Sequence, residues 1–153
     1  MTAPRFDPTA ELAFKLTMGE FACKCCGQGM AHIKLLLAWE KLRRQLDRAI
    51  TVTSGFRCIE HNKAVGGEST SQHLYGKALD IKFNPREMAL VDLIELFTAA
   101  GFRGIGRGDG WWHLDTRSSE KPKFWKYLDG GERELDHEAE TAWKVSRGGP
   151  PWI

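Results

Sequence analysis

The chain has 153 residues, of which 42% are hydrophobic and 27% are charged. This length and composition are typical of a single soluble globular domain spanning residues 1–153, and they exclude a largely disordered chain. The formal net charge is only +2, with lysines and arginines dispersed among acidic residues, which excludes a dedicated nucleic-acid-binding surface.

The N-terminal stretch has none of the features of an export signal. MTAPRFDPTAELAFKLT contains neither a basic start followed by an apolar run nor a cleavage pattern of small residues. No later segment reaches transmembrane length. We therefore expect synthesis in the cytoplasm without a signal peptide, no membrane insertion, and cysteines that stay reduced.

The four cysteines are Cys23, Cys25, Cys26 and Cys58. The first three form a C-x-C-C cluster, which differs from the C-x2-C spacing usual in zinc knuckles. This spacing favours buried thiols or a packed turn, with a structural metal as the alternative.

The first predicted helices are a short capped turn and a long amphipathic helix. Thr17 and Glu20 have the spacing of a capping box. From about residue 31 to residue 49, apolar side chains recur at helical spacing, and we expect this helix face in the core. Its members are Leu35, Trp39, Leu42 and Leu46.

Two short strands with a brief helix between them are predicted next. Residues 50–53, ITVT, are largely β-branched and are followed by Ser-Gly, which indicates a strand end. CIEHNKAV predicts a brief helix. Residues 78–83, ALDIKF, alternate as in a strand, so Leu79 and Ile81 are expected to face the core and Asp80 the opposite side.

A second long helix and a hairpin follow. Asn84, Pro85 and Glu87 have the pattern of an N-cap, a first-turn proline and a capping partner, and the helix is expected to end at Gly101. RGIGRGDGWWHLDT predicts two strands joined by a glycine-rich turn. The order of elements predicts an α+β fold, in which a small antiparallel sheet has flanking helices.

Beyond a core of about residues 17–117, residues 118–153 are polar and contain few periodic segments. We interpret them as a wrapping C-terminal tail of the same domain. Trp125, Tyr127 and Trp143 are expected to anchor this tail on the core, because widely spaced aromatic residues in a short segment are more often anchors than binding platforms.

His73, Asp80 and His113 provide the ligand types of a hydrolytic zinc site. Such a site uses three protein ligands, here two imidazoles and a carboxylate, and leaves a fourth position for water or substrate. A loop would carry His73, the next strand Asp80 and the hairpin His113, with Gly76 permitting a tight backbone approach. Spacing alone leaves a polar turn with a hydrogen-bonded histidine as the alternative.

Four segments resemble, in the same order, elements of the zinc D-Ala-D-Ala carboxypeptidase family: SGFRC, EHN, SQHLYGKALDI and WWHLDT. The third matches S-x-H-x-x-G-x-A-x-D, which specifies five residues in ten positions. The resemblance runs from about Phe21 to Thr116. This family includes bacteriophage L-alanyl-D-glutamate endopeptidases and shares its fold with the hedgehog signalling domain. The resemblance implies that fold, and one catalytic Zn²⁺ on His73, Asp80 and His113.

The resemblance also implies substrate-binding roles for Arg57 and Ser71. Arg57 would lie near a substrate carbonyl or carboxylate, where its charge could stabilise the developing oxyanion. The alternative for Arg57 is a surface salt bridge. His61 and Asn62 are expected to support the site or shape its loop.

A peptidase of this kind also needs a carboxylate that moves the proton from water to the leaving amine. Many family members carry an acid three residues before the last histidine, where this chain has Gly110. Asp115 is favoured as a group close to the metal, either bracing a ligand or joining the site directly. Asp109, flanked by glycines, is the alternative base.

Together these features predict a monomeric zinc metallopeptidase that cuts peptidoglycan stem peptides, at either a D-Ala-D-Ala or an L-Ala-D-Glu bond. The lack of an export signal fits a bacteriophage or prophage endolysin, or a virion-associated enzyme, acting on the cell wall after release. The alternative is a catalytically silent zinc-containing binding module of the same fold.

Overall fold

The computed structural model describes residues 7–46, 48–86 and 88–149. Within these residues the chain forms helices and strands that we number separately in chain order. They are β1 (Glu11–Ala13), β2 (Leu16–Thr17), α1 (Met18–Phe21), α2 (Ile33–Gln45), β3 (Thr51–Ser54), α3 (Ile59–Ala64), a 3-10 helix (Gln72–Tyr75), β4 (Ala78–Lys82), α4 (Leu90–Ala100), β5 (Gly104–Arg107), β6 (Trp112–Asp115), β7 (Lys123–Tyr127), β8 (Arg133–Leu135) and α5 (His137–Ser146).

A six-stranded sheet organises the molecule, in the order β3-β4-β6-β5-β7-β8. All neighbours are antiparallel except β5 and β7, which are parallel. The predicted α+β fold with an antiparallel sheet is confirmed, and the parallel pair is the exception to it. None of the helices in the described part of the chain is long and apolar enough to span a membrane.

The two faces of the sheet differ in chemistry, because neighbouring side chains on a strand point to opposite sides. One face carries Leu79, Ile81, Ile105 and Leu114, all buried in the hydrophobic core with the apolar sides of α2 and α4. The other face carries polar residues of β4 and β6. The core face thus fixes the register in which the polar face is presented.

Most of the predicted elements up to the hairpin are confirmed. The capping box is present, with the Glu20 N–H donating to Thr17 Oγ1 and the Thr17 N–H donating to the Glu20 carboxylate. Helix α2 buries Leu35, Trp39 and Leu42 as expected.

The predicted start of the second long helix is wrong. Helix α4 begins at Leu90 with Ala89 as its N-cap, rather than after Asn84. The Asn84 carboxamide oxygen accepts from the Arg86 N–H at 3.0 Å, which closes a local turn in place of a helix cap. Glu87, predicted as the capping partner, lies outside the described residues.

The segment after Ser118 contains more regular structure than the sequence predicted. It adds β7, β8 and α5, and β7 pairs directly with β5 and lies between β5 and the edge strand β8. Trp143 of α5 does pack on the core side, with its ring 6.3 Å from that of Phe124. A parallel pairing is non-local, so no hairpin pattern in the sequence reveals it.

Candidate metal centre

The register between β4 and β6 brings two of the predicted ligands together. Asp80 is directly opposite His113 in this antiparallel pair, so their side chains lie on the same face. His73 reaches them from the 3-10 helix that precedes β4. That helix ends at Gly76, which has a φ of 65° and packs directly against the Met30 carbonyl, leaving no space for a Cβ.

Three ligand atoms converge at the floor of this site. His73 Nε2 lies 3.2 Å from both Asp80 Oδ1 and His113 Nδ1, and Asp80 Oδ1 lies 2.9 Å from His113 Nδ1. Zinc bonds of about 2.0–2.1 Å in a tetrahedron imply ligand separations of about 3.3 Å. The three atoms therefore form nearly one face of a zinc coordination tetrahedron. All three residues are buried.

The opposite nitrogen of each histidine is held by an acceptor. His73 Nδ1–H donates to the Gly55 carbonyl at 2.6 Å, and His113 Nε2–H donates to the Asp115 carboxylate at 2.9 Å. Burial lowers the pKa of His73, so its Nε2 presents a lone pair to the site. This arrangement of anchored imidazoles is typical of metal ligands, and the donor set fits zinc.

A proton and a metal ion would compete for the same place at His113. Burial opposes its charged form, but the hydrogen bonds that its ring donates to the Asp115 and Asp80 carboxylates outweigh burial and raise the pKa of His113 to about 9. At neutral pH, His113 Nδ1 can therefore hold a proton toward Asp80. A bound zinc ion would take the place of that proton, because His113 Nδ1 has only one lone pair to offer.

Both oxygens of Asp80 have hydrogen-bond donors beside them, and these keep the carboxyl group ionised. Burial favours the neutral acid, but the hydrogen bond from His113 and the electrostatic influence of both neighbouring histidines hold the pKa of Asp80 far below its ordinary value. Its second oxygen, Oδ2, accepts from Arg57 Nη2 at 2.7 Å, and Arg57 Nε donates to Ser54 Oγ at 3.0 Å. Arg57 is therefore a positioning residue for the carboxylate ligand as well as part of the cleft wall.

Asp115 lies behind His113 and is fully buried. Its two oxygens accept from His113 Nε2, from the Arg117 backbone N–H, and from the Arg117 guanidinium at 2.6 and 2.8 Å. Gly104 on β5 leaves space for this carboxylate, because a Cβ there would collide with it. The geometry supports the bracing alternative for Asp115 and does not support a role as general base.

Asp109, the alternative base, lies on the exposed turn between β5 and β6. It is not among the residues that line the cleft above the metal centre, although Trp111, two positions later, is. Gly110 has a φ of 73° at the same turn. Its expected role as base therefore stays a prediction.

The cleft above the three ligands has a volume of about 500 Å³. Ser71 lines it and also accepts the His73 N–H at the start of the 3-10 helix, at 3.4 Å. Two residues expected to be anchors, Trp125 and Tyr127, line it as well. The Trp125 ring packs 5.4 Å from His113, and the Tyr127 ring packs 4.6 Å from that of Trp111.

Further cleft residues were not found from the sequence. Glu68 and Arg133 form an ion pair at the rim, and Arg117 contributes to the wall next to its pairing with Asp115. Asn62 shapes the loop that carries Glu68, since its side-chain amide donates to the Glu68 carbonyl at 2.8 Å. Arg117 lies just beyond the end of β6 and contacts Asp115 through both its backbone N–H and its side chain, which strand alternation does not predict.

The ligand set and its anchoring define a mononuclear metal centre of the kind that metallohydrolases use. The chain matches the model of the family Peptidase M15 over residues 9–115, and it belongs to that family. It is also similar to the zinc D-Ala-D-Ala carboxypeptidase of Streptomyces albus G, with 51% identity over 35 residues. That similarity covers 23% of this chain and only 14% of the relative's length.

Membership in the Peptidase M15 family confirms the family predicted from the sequence motifs. Together with the three converging ligand atoms, it supports the predicted zinc cofactor.

Proposed function

We propose that the chain is a zinc-dependent peptidase that hydrolyses peptide bonds in the stem peptides of peptidoglycan. The observation that carries this proposal is the convergence of His73, Asp80 and His113 at the floor of a cleft that can admit a peptide. Zinc with three protein ligands and an open position supplies a Lewis acid and an activated water for amide hydrolysis.

The charge of the cleft supports an anionic peptide substrate. Its lining residues include three arginines, Arg57, Arg117 and Arg133, and two carboxylates, Glu68 and Asp80. Each arginine is paired with a carboxylate, Arg117 with the buried Asp115, so the positive charge of the site would come from a zinc ion. Stem peptides carry several carboxylates, so the field of the cleft would concentrate them at the site.

Several side chains are placed to orient such a peptide. We assign Arg57 and Ser71 to the binding of a substrate carbonyl or carboxylate, since both line the cleft beside the ligands. Burial raises the pKa of Tyr127 to about 12, so its hydroxyl remains a hydrogen-bond donor at neutral pH. The rings of Trp111 and Trp125 provide apolar walls that exclude water from one side.

The proton that leaves the attacking water must be carried to the leaving amine by a carboxylate at the cleft. Asp109 remains a candidate for this role, on the turn next to Trp111. Glu68 is a second candidate, because it lines the cleft and its side chain is 62% exposed beside Arg133. The two candidates come from different loops and can be separated by substitution.

Digestion of purified peptidoglycan tests the proposal. The zinc-loaded protein is incubated with cell walls of several chemotypes, and the products are analysed by mass spectrometry of muropeptides and by assay of new amine termini. We expect new termini that disappear on chelation and in His113→Ala, and that persist in His137→Ala, which alters an exposed histidine outside the cleft.

The masses of the products also identify the bond. Release of D-Ala would indicate a carboxypeptidase, whereas an internal cut between L-Ala and D-Glu would indicate an endopeptidase of the type found in phage endolysins. We propose the cell wall as the place of action in either case, after release of the protein during phage lysis or as part of a virion.

A binding module of the same fold is the second candidate. One observation favours it: both carboxylates of the cleft lining are already engaged, Asp80 with the histidines of the metal centre and Glu68 with Arg133. Neither is then free to act as the general base. A fully zinc-loaded protein that binds peptidoglycan in a sedimentation assay, yet releases no new amine termini from any chemotype, would support this candidate and exclude the peptidase.

A further inference from the structure

A second cluster of metal-binding side chains lies outside the cleft. Cys23, Cys25 and Cys26 belong to the loop after α1, and Cys58 is the N-cap of α3, more than thirty residues later. One sulfur atom from each of the four lies within 4.8 Å of all the others. The fold therefore gathers the chain's four cysteines at one point.

The separations of these sulfur atoms match a tetrathiolate metal site. Cys25 Sγ lies 3.4 Å and Cys23 Sγ lies 3.7 Å from Cys58 Sγ. Zinc–sulfur bonds of about 2.3 Å in a tetrahedron place the sulfur atoms about 3.8 Å apart. A disulfide would join only two of the four atoms, at about 2.05 Å.

The backbone around the cysteines supports thiolate ligands. The Cys58 N–H donates to Cys23 Sγ at 3.5 Å, and the His61 N–H donates to Cys58 Sγ at 3.4 Å. Hydrogen bonds of this kind stabilise the anionic sulfur that binds metal. The loop itself closes through the Gly27 N–H to the Cys23 carbonyl at 2.9 Å, which presents the intervening cysteines on one tight turn.

A packed turn of unligated thiols does not account for the arrangement. Cys23 is buried, but Cys25 and Cys26 are exposed, so the expectation of buried thiols is wrong for two members of the cluster. Exposed thiols add little to packing. Their convergence with Cys58 is explained by a shared ligand.

We propose that Cys23, Cys25, Cys26 and Cys58 bind one structural zinc ion, separate from the ion at the histidines. Four soft thiolates in a closed tetrahedron leave no position for water, so this ion would hold structure and take no part in hydrolysis. The proposal rests on the cysteine geometry alone and does not depend on the proposed peptidase activity.

The position of this ion gives it a role in shaping the cleft. Cys58 directly follows Arg57, the positioning residue for the Asp80 carboxylate. The Phe56 N–H donates to the Phe21 carbonyl at 2.8 Å, which joins the same two segments two residues before Cys58 and Cys23. A zinc ion at the cysteines would join the loop after α1 to the segment between β3 and α3 that carries Arg57.

Metal stoichiometry tests the proposal on the full chain, expressed with zinc and purified under reducing conditions without chelator. Elemental analysis is expected to give two zinc ions per wild-type chain. His73→Ala is expected to retain one ion, and the double variant Cys25→Ser, Cys26→Ser to retain the other. Gln28→Ser is the matched control, because it changes the same loop without removing a thiol and should retain both.

A second measurement on the wild-type protein avoids reliance on variants that fail to fold. The four thiols should react slowly with a thiol reagent, and all should react rapidly once a strong chelator removes the metal. Cobalt substituted at this site should show the intense near-ultraviolet absorption of cobalt–thiolate bonds. These outcomes support a tetrathiolate site whether or not the protein digests peptidoglycan.

Three results would overturn the proposal. One is a single zinc ion per zinc-saturated wild-type chain with four freely reactive thiols. Another is a chain mass lower by about two hydrogens, with thiols that only a reductant restores, which indicates a disulfide. The third is iron in place of zinc in the cysteine cluster of protein from zinc-supplied cells.

Discussion

Replacing Asp115 by Asn is the sharpest test of how the metal centre is held together. The change keeps the size of the side chain but removes its negative charge. An Asn side chain has only one oxygen that can accept hydrogen bonds from His113 Nε2–H and the Arg117 guanidinium. The Asp115 carboxylate accepts them with two oxygens. The His113 ring then loses part of the support that orients its Nδ1 toward the metal.

The expected loss in zinc affinity is tenfold to a hundredfold, typical for removal of a group that braces a metal-bound histidine. This corresponds to about 1.4–2.8 kcal/mol of binding free energy. The folded protein also loses a buried ion pair. Because the Arg117 side chain is 27% exposed, water can solvate it in part, and we expect a cost of about 2 kcal/mol in unfolding free energy.

Competition with a chromophoric chelator measures the affinity of the histidine site, and urea unfolding of the zinc-loaded and metal-free protein measures stability. Asp129→Asn is the matched control, since it makes the same chemical change at an exposed turn. At saturating zinc, Asp115→Asn should recover a large part of its kcat, because a bracing group acts through the metal ligand.

One result would refute this reasoning. If Asp115→Asn binds zinc as tightly as the wild-type protein but loses kcat by a thousandfold or more at full occupancy, Asp115 transfers a proton in the reaction. The contacts with His113 and Arg117 would then be secondary to that role.

Three further predictions follow from the cleft. Arg57→Lys should weaken zinc binding about tenfold in the chelator competition, because an ammonium group lacks the fork that contacts both Ser54 and Asp80; unchanged affinity would contradict a positioning role. Asp109→Asn and Glu68→Gln should differ in kcat at full zinc occupancy, and the variant that loses about a hundredfold or more identifies the base; if neither falls, neither carboxylate is the base. Burial raises the pKa of Tyr127 from about 10 to about 12, so its contribution to stability is complete below pH 10 and is lost as the pH rises through 12. Tyr127→Phe should remove a late step from the absorbance titration of tyrosine and Tyr75→Phe should leave it, and a late step that survives Tyr127→Phe would contradict the assignment.

The metal ligands could be predicted from the sequence because their motifs resemble those of a known family, whereas the local pattern fixes only the face on which each side chain lies. The alternation of apolar residues in ALDIK fixes which face Asp80 occupies, but the pairing that places His113 opposite it joins β4 to β6, across a separation of 33 residues. His73 follows from the short segment ending at Gly76. The β4–β6 contact was therefore implied by the resemblance to a known family and not by a local pattern.

The features that the sequence did not predict depend on contacts between distant segments. Cys58 meets Cys23 across a separation of 35 residues, and no spacing rule links the two. Trp125 and Tyr127 enter the cleft only because β7 pairs in parallel with β5. The start of α4 at Leu90 was missed for a different reason, since a local hydrogen bond of Asn84 replaced the expected cap.

The metal ligands and the aromatic residues of the cleft come from different parts of the chain. The metal ligands come from residues 73–113, whereas the aromatic wall formed by Trp125 and Tyr127 comes from β7. Gly106 on β5 leaves space for the Trp125 and Tyr127 rings. These rings therefore pack beside the metal centre, although β7 contributes none of the three ligands. Exchange of the β7–β8 segment between relatives would therefore change one wall of the cleft while leaving the three ligand residues in place, which makes this segment a natural place to engineer peptide selectivity.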